Sequence, residues 1–368
     1  MKNFITLLVF VFIICSKLSA QEANSIKEAS QESPRNDSER FYVETSSQEQ
    51  ADLSMREHIT EFFPIIPESA IEEILSTRQS KPVVKIDEVK GDTSLTFEWS
   101  YYVKPNFNAD TTKIFWQLNI PQFQSNIYQL YQNDTIYLDT WNHVVGAPST
   151  KTLTGNFTAF RIRNWPTWKD PDPKLAHLEA TPPGPKNPLG LFTVWYDENS
   201  LRYFHGTNKP YLLDDEIRSL SHGCVRTDND NIDKMKRFLI RRVIKSKDLN
   251  GWIGSKRTMQ YDFEEVDKFP VQIIYKTFDI NKDANGHYIE LFKDVYKYEN
   301  QRNINIREND PSLITLSTKE NIKAEFVREF NKGLTEQELD FVIDWLLANG
   351  EQYQKYYFSE LQQKFLMK

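Results

Sequence analysis

The feature that most limits what this chain can fold into is a succession of short segments in which apolar and polar residues alternate. Ile114 to Ile120 stops at Pro121. Ile127 to Tyr131 and Ile136 to Trp141 flank the polar turn Gln132-Asn133-Asp134, and Val144 to Gly146 and Phe157 to Ile162 follow. Side chains alternate across a strand with period two, so these segments predict strands with one face on a core. Leu191 to Tyr196 and Leu201 to His205 continue the series. Residues 82–103 predict a hairpin around Gly91-Asp92, and Val271 to Ile280 with His287 to Tyr298 predict a last one.

Helical spacing occurs in three places. Ser69 to Leu75 reads as a short helix after Pro67. Residues 229–243 place Ile232, Met235, Phe238, Leu239 and Val243 on one face, with Thr227 and Asp230 as a capping box. Beyond Asp310 the chain reads as helical, and Thr335 with Glu338 opens a helix that ends at Asn349-Gly350. The predicted class is mostly β (α+β), with a small N-terminal α/β region over 52–112 and a helical C-terminal extension over 301–368.

The N-terminus reads as an export signal. Met1-Lys2-Asn3 precedes the apolar run Phe4 to Cys15, then Ser16 to Ala20 with small residues at the cleavage positions. A bilayer span needs about 20 apolar residues, which this run lacks. Cleavage after Ala20 removes Lys2 and Lys17 and takes the formal net charge from −7 to −9. An uncleaved anchor is the alternative; Phe12-Ile13-Ile14 is unlike the small residues that precede a lipidated Cys15. Residues 21–51, rich in Gln, Glu and Ser, are expected to be a flexible tether. The acidic balance and the lack of a long basic run exclude the electrostatic footprint of a nucleic-acid binder.

Of two cysteines, one falls inside the signal, so the exported chain keeps a single thiol, Cys224, and forms no internal disulfide. A lone thiol outside the cytosol suggests a reactive group or an intermolecular pair; the competing reading is a small buried apolar residue. The surrounding sequence favours reactivity. His205-Gly206-Thr207-Asn208 ends a predicted strand, and Ser221-His222-Gly223-Cys224-Val225-Arg226 follows. An unperturbed thiol has a pKa of about 8.5 and is mostly protonated at neutral pH, so acyl transfer through sulfur needs a neighbouring base. Alternation puts residues 201, 203 and 205 on one face, so His205 projects from a strand end. Between the strands, residues 164–190 form a long loop with Trp165 and Trp168 near one end and the stiff Pro182 to Gly190 stretch at the other. Loops of this length inside a domain are usually functional or disordered, and the aromatics argue for order.

These residues together resemble the signature of the L,D-transpeptidases, the YkuD-type catalytic domain. Asn119 to Phe123, Val145-Gly146 and Pro182 to Gly190 fit in order, and they resemble the larger periplasmic branch with a long lid, as do Tyr275 and Asp294-Val295-Tyr296. The resemblance spans 113–300 and leaves 21–112 and 301–368 uncovered. It implies a YkuD-like β-sandwich or barrel. It implies Cys224 as nucleophile, His205 as general base, the Gly206 carbonyl as acceptor of the ring N–H, and the Cys224 N–H with Gly223 nearby as the oxyanion region. Arg226 matches a position that shapes the site and meets a substrate carboxylate. Ser221, His222, Tyr203, Trp165 and Trp168 are supporting or substrate-facing candidates. The implied reaction forms 3→3 cross-links in peptidoglycan: the sulfur attacks stem position 3, D-Ala leaves, and an amine resolves the thioester. Carbapenems are implied inhibitors and stem peptides the implied partners; whether cell-envelope proteins also take part is left open. The implied location is the periplasm or cell envelope.

Three other signals weigh less. Asp279 to Glu290 is similar to a calcium loop, but its Gly falls at the eighth position, so a turn at Asn285-Gly286 is expected. His58, His143, His177 and His287 lack metal-ligand spacing, so neither a metal nor a cofactor is predicted. Arg202, Lys209 and Arg218 could attract an acidic peptide, offset by Asp214-Asp215-Glu216. The alternatives are an L,D-carboxypeptidase with water as acceptor, a wall-to-protein transpeptidase, and a non-catalytic wall-binding module. A papain-like hydrolase is disfavoured because its Cys precedes its His.

Overall fold

A computed structural model describes residues 39–86, 93–108, 113–170, 172–200, 202–246, 248, 250–330 and 335–365. The expected signal peptide with Cys15, the first part of the tether, the Gly91-Asp92 turn and Leu201 lie outside the described residues. The chain divides into two compact units, one of residues up to Thr112 with Arg241–Lys245, the other of Lys113–Ile240 with Ser246–Lys368.

In the first unit, strands β1 (Glu39–Thr45), β2 (Gln79–Ile86) and β3 (Thr93–Val103) form an antiparallel sheet in the order β1-β3-β2. Helices α1 (Gln48–Phe62) and α2 (Glu68–Ser76) pack with it. The expected tether is thus corrected: residues 39–45 are a strand and 48–62 a helix. Ser47 caps α1 by accepting the Gln50 N–H. The helix buries only Ala51, Met55, His58 and Ile59, too few apolar positions to stand out in a Gln/Glu-rich sequence. Pro67 precedes α2, where its fixed φ suits a helix start.

The second unit is built on one curled sheet. Its strands are β4 (Lys113–Asn119), β5 (Gln124–Tyr131), β6 (Asp134–Gly146), β7 (Gly155–Ala159), β8 (Arg161–Asn164), β9 (Phe192–Trp195), β10 (Tyr203–His205), β11 (Ser219–Ser221), β12 (Val225–Thr227), β13 (Met259–Asp262), β14 (Phe269–Lys276) and β17 (Ile314–Thr315). Their order is β13-β8-β9-β10-β12-β6-β5-β4-β14-β17, with β11 beside β6 and β7 beside β14. The long β6 pairs with β5 in its first half and with β12 and β11 at its end, joining the two parts of the sheet. Helix α3 (Asn229–Phe238) follows β12. Its cap is Asp228, which accepts the Asp230 N–H; the expected capping box fails because Thr227 is the last residue of β12. Residues 239–243 continue as a π-helix.

The last hairpin also differs from expectation. Strand β14 belongs to the large sheet, and the hairpin is β15 (Phe278–Asp283) with β16 (Gly286–Leu291), turning at Gly286 with φ +117°. Residues 292–298 are irregular and are knotted rather than laddered. The Tyr275 hydroxyl donates to Asp294, which also accepts the Tyr298 N–H, and the Tyr296 N–H donates to the Tyr275 oxygen. The C-terminal region is not purely helical. Helices α4 (Lys319–Phe330), α5 (Glu336–Asn349) and α6 (Phe358–Phe365) close over the hairpin, and β18 (Lys355–Tyr357) adds a third strand to it. The Thr335/Glu338 capping box is present. Phe278, Ile289, Ile322, Val342 and Leu346 share a separate core there. Burial of each such side chain stabilises by about 1.5–3 kcal/mol.

Candidate active site

The register of two short strands assembles the site. β10 and β12 run parallel, with Phe204 opposite Val225 and His205 opposite Arg226. One step earlier, Tyr203 stands level with Cys224. Paired residues share a sheet face and alternate along it. One face therefore carries Tyr203, His205, Cys224 and Arg226; the other carries Phe204 and Val225, both wholly buried. Phe204 stacks on Trp116 of β4 at 3.8 Å between centroids, which fixes β10 from behind. The four front-face residues line a cleft of about 600 Å³ together with Trp168, Leu189, Arg202, Ser221 and His222.

His205 is 3% exposed, and its Nδ1 lies 2.5 Å from the Gly206 carbonyl oxygen. A carbonyl only accepts, so Nδ1 carries the proton and Nε2 keeps its lone pair. Burial, aided by the charge of Arg226, pushes the His205 pKa down to about 3, against the pull of the Gly206 carbonyl. Burial raises the Cys224 thiol to about 11. Hydrogen bonds from the Tyr203 backbone and hydroxyl and the charges of Arg202 and Arg226 oppose that rise. Burial thus favours the neutral thiol and the neutral imidazole.

The backbone around both residues is held by side chains. Ser221 Oγ donates to the Cys224 carbonyl at 2.5 Å and accepts the Gly223 N–H at 3.1 Å. Gly223 supplies the turn, at φ +105°, and donates its N–H to Ser221, beside the Cys224 N–H expected in the oxyanion region. Thr152 Oγ1 donates to the Gly223 carbonyl at 2.9 Å. On the other side, Asn229 at the start of α3 clamps the chain after His205. Its Oδ1 accepts the Thr207 N–H at 3.0 Å, and its Nδ2 donates to the Thr207 carbonyl at 2.8 Å. Gly190 passes against Gly206 so closely that an added Cβ would sit 2.7 Å from the Gly206 Cα. Asn229 is a positioning residue that sequence reasoning missed; a polar residue opening a helix looks like an ordinary cap.

Residues 164–190 are ordered at their neck. Trp168 and Thr181 exchange backbone hydrogen bonds of 2.9 and 2.7 Å. The wholly buried Asn187 donates to the carbonyls of Pro166, Thr181 and Pro182. Trp168, Lys169 and Asp170 line the cleft. Trp165 does not join them: its carbonyl accepts the Thr258 hydroxyl at 2.7 Å, and Lys256 lies 5.9 Å from its ring. His222 is exposed at the cleft edge, and Arg226 is half-buried. Among the described residues no group of three His, Cys, Asp or Glu is placed to hold a metal.

A search of curated proteins finds no match. Solved structures with similarity include an L,D-transpeptidase from Mycobacterium smegmatis (11% identity, 53% of this chain and 84% of that one, TM-score 0.24). Another is L,D-transpeptidase 3 from Mycobacterium tuberculosis in complex with a faropenem-derived adduct (12%, 64% and 91%, 0.25). A third is the helical cell shape determining protein Pgp2 from Campylobacter jejuni (13%, 45% and 49%, 0.25). The family model of YkuD, the L,D-transpeptidase catalytic domain, matches residues 119–244, a stretch that contains β10, β12 and the whole Tyr203/His205/Cys224/Arg226 face. Over residues 119–244 the chain is thus similar to the YkuD family, the L,D-transpeptidase catalytic domain.

Proposed function

We propose that the protein is a cysteine-dependent transferase that forms 3→3 cross-links in peptidoglycan. The observation that carries this reading is the shared face of His205 and Cys224, with the His205 tautomer fixed by the Gly206 carbonyl. Nε2 takes the thiol proton as sulfur attacks the carbonyl at stem position 3. The C–S bond forms, the C–N bond to D-Ala breaks, and the imidazolium proton leaves with the amine. An acceptor amine then attacks the thioester, and the sulfur departs with a proton. The Cys224 N–H and the Tyr203 hydroxyl are suited to steady the charge that develops on oxygen and sulfur. Stem peptides are the proposed partners, carbapenems are proposed to acylate Cys224, and the sequence of residues 1–20 supports export to the cell envelope.

The test is to incubate the mature protein with purified tetrapeptide muropeptides and weigh the products. Cross-linked dimer is expected; tripeptide alone would instead support the carboxypeptidase reading, and no change in the muropeptides would contradict both.

A further inference from the structure

The face of the sheet that carries Cys224 continues past β10. Register takes it outward through three further strands: Tyr203 pairs with Trp195 of β9, Trp195 with Arg161 of β8, and Arg161 with Asp262 of β13. Paired residues share a face, so Trp195 and Arg161 stand in one row with Tyr203 and, across to β12, with Cys224. A second row runs beside it from His205 through Thr193 and Arg163 to Gln260. The planar groups of the two rows lie against one another. The Trp195 and Tyr203 rings stack at 4.8 Å between centroids with 21° between their planes, and Tyr203 meets the His205 ring edge-on at 5.6 Å. The guanidiniums of Arg161 and Arg163 each lie 5.5 Å from the Trp195 ring. Both are anchored at the outer strand, Arg161 on the Asp262 carboxylate and Arg163 on the Gln260 side chain at 2.6 Å. The Trp195 Nε1–H donates to Thr193 Oγ1 at 3.0 Å, which sets the rotation of the indole. Trp195 itself is not among the residues lining the catalytic cleft.

A stack fixed at its outer end restrains its inner end. Cation–π and ring–ring attraction hold Trp195, and Trp195 in turn leaves the Tyr203 ring little freedom to rotate. Burial pushes the Tyr203 hydroxyl pKa up, so the hydroxyl keeps its proton and remains a donor toward Cys224. A hydrogen bond to an ionised acceptor is stronger than one to a neutral acceptor, so this contact tightens as the proton leaves sulfur. We propose that Trp195 is a positioning residue for the nucleophile: braced by Arg161 and Arg163, it holds the Tyr203 hydroxyl on the Cys224 sulfur. The inference rests on the transferase reading above for the step that benefits, which is acylation.

The test uses two readouts on the mature chain, whose one thiol is Cys224. Alkylation by iodoacetamide across neutral to alkaline pH, followed by intact mass, reads thiolate formation; acylation by a carbapenem reads the reaction. Tyr203→Phe is expected to slow acylation about tenfold and to move the alkylation profile up by about one pH unit, the scale of one hydrogen bond lost to a charged group. Trp195→Leu is expected to move both readouts the same way, and Trp195→Phe, which keeps a ring to stack, to recover most of the loss. In a Tyr203→Phe background Trp195→Leu is expected to add nothing. Where Trp195→Leu does not fold, Arg161→Gln replaces it at the outer end of the row, with a smaller slowing that again vanishes in Tyr203→Phe. A wild-type alkylation profile in folded Trp195→Leu, or losses that multiply in the double variant, would overturn the assignment while leaving the transferase reading intact. The expected alkylation pattern in a wild type that no carbapenem acylates and that leaves muropeptides unchanged would overturn the transferase reading and leave the Trp195 assignment standing.

Discussion

At the residue scale, the proposed function turns on two groups, His205 and Cys224, whose neutral forms burial favours. His205 ends β10 with its tautomer set, whereas His222 is exposed at the cleft edge. His205→Ala is therefore expected to slow acylation by about 10²–10⁴-fold, the usual cost of a lost general base, and His222→Ala by no more than that. Stopped-flow acylation by a carbapenem measures both; a dead His222→Ala beside a normal His205→Ala would reverse the assignment. Asn229 offers a second check. Asn229→Ala removes both hydrogen bonds to Thr207, and a buried group left unsatisfied costs about 1–3 kcal/mol. It is expected to lower the acylation rate about tenfold, with partial recovery in Asn229→Asp, which keeps the acceptor for the Thr207 N–H. The spacing of His205 and Cys224 made the pair legible in the sequence, because one His-Gly-Thr and one Ser-His-Gly-Cys segment carry it. The Asn229 clamp and the Ser221–Gly223 contact were not legible, because they arise from chain segments that meet only after the sheet forms.

At the element scale, the segment 164–190 is the part most open to test. Its neck is fixed by the Trp168–Thr181 bridge and Asn187, while Trp168, Lys169 and Asp170 border the cleft. We expect it to exclude water from the thioester, since an amine competes with a far more abundant solvent only where it is positioned and water is kept out. Replacing residues 167–181 with a short Gly/Ser linker should raise the tripeptide-to-dimer ratio while Cys224 still acylates. An unchanged ratio in a folded variant would leave the loop a structural role only. Strands were the most readable elements: β4 and β5 bury alternate residues over much of their length, while β6 ends in a run of four buried residues where it is covered on both faces. Strand β1 and helix α1 were not, because they bury few apolar positions. The hairpin was misplaced for another reason. Val271 to Ile280 carries apolar residues along its whole length with no Gly or Pro break, and only pairing shows that β14 leaves it for the large sheet.

At the scale of the whole molecule, two histidines are buried in the second unit with pKa values pushed down to about 3. They are His205 and His143, the latter wholly buried with Nε2 2.5 Å from Ser125 Oγ and Nδ1 3.2 Å from Thr227 Oγ1. Both titrate near 6.5 when unfolded, so the unfolded chain binds more protons between about pH 6.5 and 3. Stability is then full above 6.5 and declines as pH falls below it, by about 2 kcal/mol per histidine at pH 5. Urea unfolding at pH 7 and pH 5 should show the fall, with a shallower slope in His143→Gln; equal midpoints at both pH values would contradict the burial of these rings. The central claim, however, is that sulfur carries the acyl group. Intact-mass spectrometry of the mature chain with a carbapenem tests it most directly. One adduct is expected on the wild type and none on Cys224→Ala; an adduct of the same mass surviving in Cys224→Ala would place the nucleophile elsewhere and contradict the account.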